Sequence, residues 1–96
     1  MFPVEPISAK MLDYYVGRKD AFLIDLRDRE AYRTGHIKGA INVPYERFEE
    51  MQEYDFPKGK TLVLYCERGG ASLVAARILA KKGYQTRTVI GGLNAY

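Results

Sequence analysis

Two apolar runs without alternation constrain this chain more than any other feature. Ala21 to Leu26 (AFLIDL) is interrupted only by Asp25, and Leu62 to Tyr65 (LVLY) is not interrupted at all. A strand with one wet face alternates, because successive side chains point to opposite sides of a sheet. Runs with no polar phase fit strands covered on both faces, as in a parallel sheet between helical layers. Helix-forming and β-rich segments alternate along the chain with short connections. The pattern predicts an α/β protein whose central parallel sheet carries helices on both faces.

The remaining segments follow from local signals. Met1 to Pro6 reads as an extended arm with a short edge strand around Val4 to Ile7. Ser8 is placed to cap a helix over Ala9 to Val16, with Met11, Leu12, Tyr15 and Val16 on one apolar face and Gly17 as its stop. Asp28 caps a short helix over Arg29 to Arg33, ended by Gly35. Ala40 to Val43 is a short strand ended by Pro44. Glu46 to Tyr54 reads as a helix with Phe48 and Met51 inward and its carboxylates in water, and Asp55 to Lys60 as a turn. A helix is expected from near Ser72 to Lys82, stopped by Gly83 and complemented at its negative end by Lys81 and Lys82. Thr86 to Ile90 is the last strand, and Leu93 to Tyr96 begins a final helical turn. Tyr14, Tyr32, Tyr54 and Tyr96 are candidates for the surface.

A chain of 96 residues suits a single domain spanning 1–96. Its formal charge of +3 assists the approach of a small anion, without the basic-aromatic pattern of a nucleic-acid site. No apolar run approaches the ~18 residues that span a bilayer. One cysteine cannot form an intrachain disulfide, a Cys-rich zinc site or an iron–sulfur cluster, so neither metal nor cofactor is expected. With no charged-then-apolar opening segment, the expected location is the cytoplasm.

That cysteine, Cys66, stands at the carboxyl end of the second run, before the Gly-rich loop Glu67 to Ala71. Helix N–H groups left unpaired beyond the loop would favour negative charge on its sulfur. A helix terminus contributes roughly 0.3–1 kcal/mol to such a preference, and up to ~2 where partly buried. A strand-end cysteine also packs well as a small hydrophobe. Parallel sheets, however, bind ligands outside the carboxyl ends of their strands. Asp25, the Cys66 loop and Gly91–Gly92 share that edge, which favours Cys66 as a nucleophile. Asp25 is expected to pair with Arg27 or with an Arg from another loop, and so fix loop geometry. His36, the only histidine, is expected to lock a turn through backbone hydrogen bonds and not to serve as a base.

LIDLR at Leu23 to Arg27, GHIKGAINVP at Gly35 to Pro44, YCERGG at Tyr65 to Gly70 and GGLNAY at the end occur in rhodanese-domain order and spacing. From about Ile7 to Tyr96 the chain resembles that family. The resemblance implies a three-layer domain with about five strands and the activity of a thiosulfate sulfurtransferase. Cys66 would take a sulfane sulfur from a small anionic donor such as thiosulfate, hold it as a persulfide, and pass it to cyanide or a thiol in two half-reactions. Glu67, Arg68, Gly69, Gly70, Ala71 and Ser72 would form the cradle. Dual-specificity phosphatases of this fold carry an Arg six positions after the Cys, where this chain has Ser72. Many active sulfurtransferases carry an Arg five positions after it, where this chain has Ala71. The loop's only Arg is Arg68, and Glu67 places an acid beside the thiol. Two other readings use the same fold: a non-catalytic binding module, and a persulfide carrier to a protein acceptor.

Overall fold

The two apolar runs become interior strands. In the computed structural model, which describes residues 3–96, β1 (Val4–Ile7), β2 (Ala21–Asp25), β3 (Ile41–Asn42), β4 (Thr61–Tyr65) and β5 (Gln85–Val89) form one parallel sheet. The order is β1-β5-β4-β2-β3, with β4 at the centre and Leu64 opposite both Ile24 and Thr88. The helices are α1 (Leu12–Tyr15), α2 (Arg29–Thr34), α3 (Tyr45–Glu50) and α4 (Gly70–Lys81).

Side-chain parity divides each run between two cores. Ile24, Leu62, Leu64 and Cys66 pack on one face with Phe48 of α3 and Ala75, Ala76 and Leu79 of α4. Leu23, Val63 and Tyr65 pack on the other with Ile7, Leu12 and Ile37. Each fully buried aliphatic side chain contributes roughly 1.5–3 kcal/mol. An unbroken apolar run thus supplies both cores from one strand. The result is the expected three-layer α/β architecture.

Several boundaries differ from expectation. The part of the expected arm formed by Met1 and Phe2 lies outside the described residues. Instead of one helix over Ala9 to Val16, a 3-10 turn (Ala9–Met11) leads into the short α1. Ser8 has extended capping backbone but makes no side-chain cap bond, so nothing enforces a regular start. Helix α3 stops at Glu50 rather than Tyr54, because Met51 is extended. Glu49, Glu50 and Glu53 crowd the end where the dipole disfavours negative charge. Stopping there also frees the Tyr54 carbonyl to accept from the Tyr84 hydroxyl at 2.7 Å, and lets the Tyr54 ring stack on Phe48 at 4.9 Å. Tyr14 and Tyr96 are exposed as expected, whereas Tyr32 and Tyr54 are half-buried.

Among the described residues no helix is long and apolar enough to cross a membrane. Among the described residues no cluster of His, Cys, Asp and Glu has the arrangement of a metal site.

Candidate functional site

Strand β4 ends at Tyr65 and delivers Cys66 to the carboxyl edge of the sheet, 6% exposed. The loop then turns back through Gly69, whose φ of 101° is open to glycine and strained for other residues. Because of that left-handed turn, α4 begins at Gly70, two residues before the expected Ser72. The shift has a chemical consequence. Ser72 becomes a first-turn residue with an N–H that no helical carbonyl can take, and this N–H points at Cys66 Sγ at 3.4 Å. The Gly69 N–H donates to the same sulfur at 3.0 Å.

Hydroxyls complete the sulfur's surroundings. Ser72 Oγ lies 3.6 Å from Sγ, 3.1 Å from the Gly69 carbonyl and 2.9 Å from Thr88 Oγ1. Both hydroxyl-bearing residues are buried. Among the described residues the Thr88 hydroxyl has Ser72 Oγ as its side-chain hydrogen-bond partner, so satisfying its proton requires Thr88 to donate to Ser72. The Ser72 proton is then free to reach either the Gly69 carbonyl or a sulfur that has lost its own proton. Sequence reading missed Thr88. Its only signal was a threonine in a strand that had to lie beside β4.

The outer wall is charged. Leu26, Arg27, Asp28, Cys66, Glu67, Arg68, Gly70 and Ala71 line an open cleft of about 500 Å3. Glu67 and Arg68 are exposed, and Ala71 is half-buried. The expected site residues therefore divide. Cys66, Glu67, Arg68, Gly70 and Ala71 face the cleft, while Gly69 and Ser72 act on the sulfur from within. Asp25 is fully buried and pairs with Arg27 at 2.8 Å, also accepting the Arg27 N–H at 2.9 Å. The Asp25 carboxylate holds the Arg27 guanidinium above its ordinary value. Arg27 Nη2 continues to the Gly35 carbonyl at 2.6 Å, and Asn42 Nδ2 donates to the carbonyls of Asp25 and Arg27. The pair thus fixes one wall of the cleft. His36 bonds the Tyr32 carbonyl through Nδ1 at 2.8 Å and stacks on the Tyr32 ring at 3.7 Å. It does not line the cleft, and its role as a turn lock stands.

The carboxyl-terminal glycines hold the loop from outside. The 3-10 turn Gly92–Ala95 begins with free N–H groups, and Leu93 and Asn94 donate theirs to the carbonyls of Cys66 (2.7 Å) and Glu67 (3.0 Å). Gly92 has φ 63°, and a Cβ there would overlap the Cys66 carbonyl and the Glu67 peptide. Engaging these carbonyls on the far side leaves the loop's amides free to face the sulfur.

A family model, the rhodanese-like domain, matches residues 8–96. The chain belongs to the rhodanese-like family. This rhodanese-like chain is 38% identical over 77 residues to a tRNA sulfurtransferase of Desulfurococcus amylolyticus, covering 80% of this chain and 15% of that one. It is 38% identical over 71 residues to the thiosulfate sulfurtransferase PspE of Escherichia coli, covering 73% of this chain and 68% of PspE. It spans only 22% of the adenylyltransferase and sulfurtransferase uba4 of Ogataea parapolymorpha, at 32% identity over 97% of its own length. Reduced Bacillus anthracis CoADR-RHD superposes with a TM-score of 0.84 at 33% identity, over 97% of this chain and 16% of that one. A rhodanese homolog from Thermus thermophilus superposes with a TM-score of 0.76 at 29% identity, over 96% of this chain and 100% of that one.

Proposed function

We propose that this protein transfers a sulfane sulfur through a persulfide on Cys66, with thiosulfate or a related small anion as donor and cyanide or a thiol as acceptor. The observation that carries the reading is the convergence of the Gly69 and Ser72 N–H groups on Sγ at 3.0 and 3.4 Å, in a cleft that also holds Arg68. Two amides aimed at sulfur stabilise charge there without any movement during reaction.

In the first half-reaction the Cys66 thiolate attacks the outer sulfur of thiosulfate. A sulfur–sulfur bond forms to Cys66, the bond to the sulfonate breaks, and sulfite leaves with the electron pair. Cys66 then carries one added sulfur and the negative charge lies on it, within reach of the loop amides. In the second half-reaction cyanide attacks that outer sulfur, thiocyanate leaves, and the Cys66 thiolate returns. Arg68 and Arg27 border the path of the donor's anionic oxygens. A guanidinium at Arg68 takes the place of the one absent at Ala71 and offsets Glu67.

The phosphatase reading gains no support, since Ser72 supplies a hydroxyl in place of a phosphate-gripping guanidinium. The protein is proposed to act as one domain in the cytoplasm.

The test is thiosulfate:cyanide turnover with mass spectrometry of the intermediate. The unsubstituted protein is expected to gain the mass of one sulfur on Cys66 and to form thiocyanate, and Cys66→Ser to do neither. An unsubstituted protein that acquires no sulfur from any sulfane donor would support the non-catalytic binding module instead.

A further inference from the structure

Beside the Cys66 cleft lies a second cleft of about 440 Å3, lined by Arg29, Tyr32, Arg33, Asn42, Pro44 and Arg47. Three guanidiniums border it and no carboxylate does. The two clefts adjoin along the chain, because Arg27 and Asp28 line the first and Arg29 the second. Helices α2 and α3 follow β2 and β3, so both helices start at the same carboxyl edge as Cys66.

Local physics does not favour the first of these arginines. Arg29 is the first residue of α2, where the helix dipole opposes positive charge. It also stands one turn before Arg33, and like charges at that spacing destabilise a helix. The ion pairs found among the described residues engage Arg18, Arg27 and Arg87, leaving Arg29, Arg33 and Arg47 without a carboxylate. Uncompensated local costs of this kind concentrate where a ligand supplies the compensation.

The ligand's chemistry follows from the lining. Guanidiniums grip carboxylates and phosphates in a planar, two-pronged geometry. Single-stranded nucleic acid also needs an open aromatic face on which bases stack. The cleft's aromatic ring, Tyr32, already stacks on His36 at 3.7 Å, and its hydroxyl donates to the Ala40 carbonyl at 2.6 Å. Carboxylates need no such face. A thiosulfate-sized donor is accommodated in the first cleft, so a second anion site beside it suits a larger partner.

We propose that the arginine cleft docks an acidic polypeptide segment of a protein that accepts the sulfur, seated so that the acceptor's thiol reaches Cys66. The proposal rests on the persulfide reading above. In the transfer the acceptor thiol passes its proton to the anionic persulfide, and the acceptor thiolate so formed attacks the outer sulfur. A new sulfur–sulfur bond forms on the acceptor, the bond to Cys66 breaks, and Cys66 leaves as the thiolate. The acceptor departs as a persulfide that keeps the proton.

The experiment loads the protein with thiosulfate and offers two synthetic peptides, each ending in one cysteine. One is rich in glutamate and the other has glutamine at those positions. Peptide persulfide is followed by mass spectrometry. The kcat/KM for the acidic peptide is expected to exceed that for its neutral counterpart by about tenfold at low salt. Added salt shrinks the difference. In the combined variant Arg29→Gln, Arg33→Gln and Arg47→Gln the preference disappears while cyanide turnover continues. Equal rates for the two peptides in the unsubstituted protein, or a preference that survives in the triple variant, overturn the proposal. An RNA oligonucleotide that displaces the acidic peptide and binds more tightly through the same arginines also overturns it. Fluorescence anisotropy of the acidic peptide on Cys66→Ser protein separates docking from chemistry. Binding that the triple variant loses supports the cleft even where no persulfide forms. Persulfide formation with no peptide binding refutes the cleft alone.

Discussion

At Cys66 the chemistry depends on which hydroxyl holds which proton. Thr88 donates to Ser72, which leaves the Ser72 proton available to a charged sulfur. Thr88→Val removes that donor while keeping the shape of the side chain. A charged sulfur then draws the Ser72 proton and leaves buried Ser72 Oγ without a donor of its own. The cost of such an orphan falls on the charged state, and both the alkylation rate of Cys66 at neutral pH and kcat are expected to drop about tenfold. Thr88→Ser is expected to restore both rates. Equal thermal stability of the two variants distinguishes the effect from a packing defect. Arg68 makes a different kind of contribution. It lines the cleft from an exposed position, so Arg68→Ala is expected to raise the KM for thiosulfate by about tenfold while changing kcat little. A steady-state comparison at two ionic strengths checks this, because screening weakens the contact in the unsubstituted protein only.

The loop between β4 and α4 is shaped by two elements far apart in sequence. Its inner face is set by the left-handed Gly69, and its outer face by the 3-10 turn that starts at Gly92. Leu93 and Asn94 spend their free N–H groups on the Cys66 and Glu67 carbonyls, which holds the loop peptides in one orientation. Gly92 permits this approach, since any Cβ would overlap those peptides. Gly92→Ala is therefore expected to displace the loop and destabilise the fold by about 2 kcal/mol or more, through a clash and a disfavoured φ together. Urea unfolding measures the stability loss, and the alkylation rate of Cys66 reports the displaced amides. Gly17→Ala provides the comparison: its φ is also positive at 78°, yet a Cβ there meets nothing within 4 Å. It is expected to lower stability by about 1 kcal/mol and to leave Cys66 reactivity unchanged.

Over the whole molecule the sheet buries polar groups as well as apolar ones, and each has a partner. No buried side-chain nitrogen or oxygen is left unpaired among the described residues. Tyr65, fully buried at the end of β4, accepts the Ile37 N–H at 3.1 Å and lies 5.8 Å below the Arg27 guanidinium. Burial, which disfavours the phenolate, pushes its phenol well above the ordinary tyrosine value. The sign follows directly. Below the ordinary value near 10 both folded and unfolded chains hold the proton, and stability is unaffected. Above it the unfolded chain releases the proton first, so stability falls by about 1.4 kcal/mol per pH unit until the folded phenol also titrates. Urea midpoints measured from about pH 8 to about pH 11 are expected to decline above pH 10. Tyr65→Phe is expected to flatten that decline while lowering stability at neutral pH through the orphaned Ile37 N–H.

Much of this was legible without coordinates because it is local or periodic. The unalternating runs at Ala21 to Leu26 and Leu62 to Tyr65 could be satisfied only by strands covered on both faces. That Asp25 needs an arginine was legible because a buried carboxylate is costly unpaired, while the choice of Arg27 over an Arg from another loop came from the structure. The Asp28 cap was equally plain, and the Ala31 N–H meets it at 2.8 Å. Cys66 at a strand's carboxyl end marked the edge where parallel sheets bind ligands. The sulfur's actual environment required the tertiary structure. Thr88 meets Ser72 because β5 lies beside β4, and Gly92 grips the loop because β5 ends at the same edge. Local propensity cannot specify hydrogen bonds between residues 16 or more positions apart, since they exist only after strands have paired. Sequence alone determined the layers, the edge and the residue to test. Packing decided where the loop's amides and hydroxyls point, and therefore what Cys66 is equipped to hold.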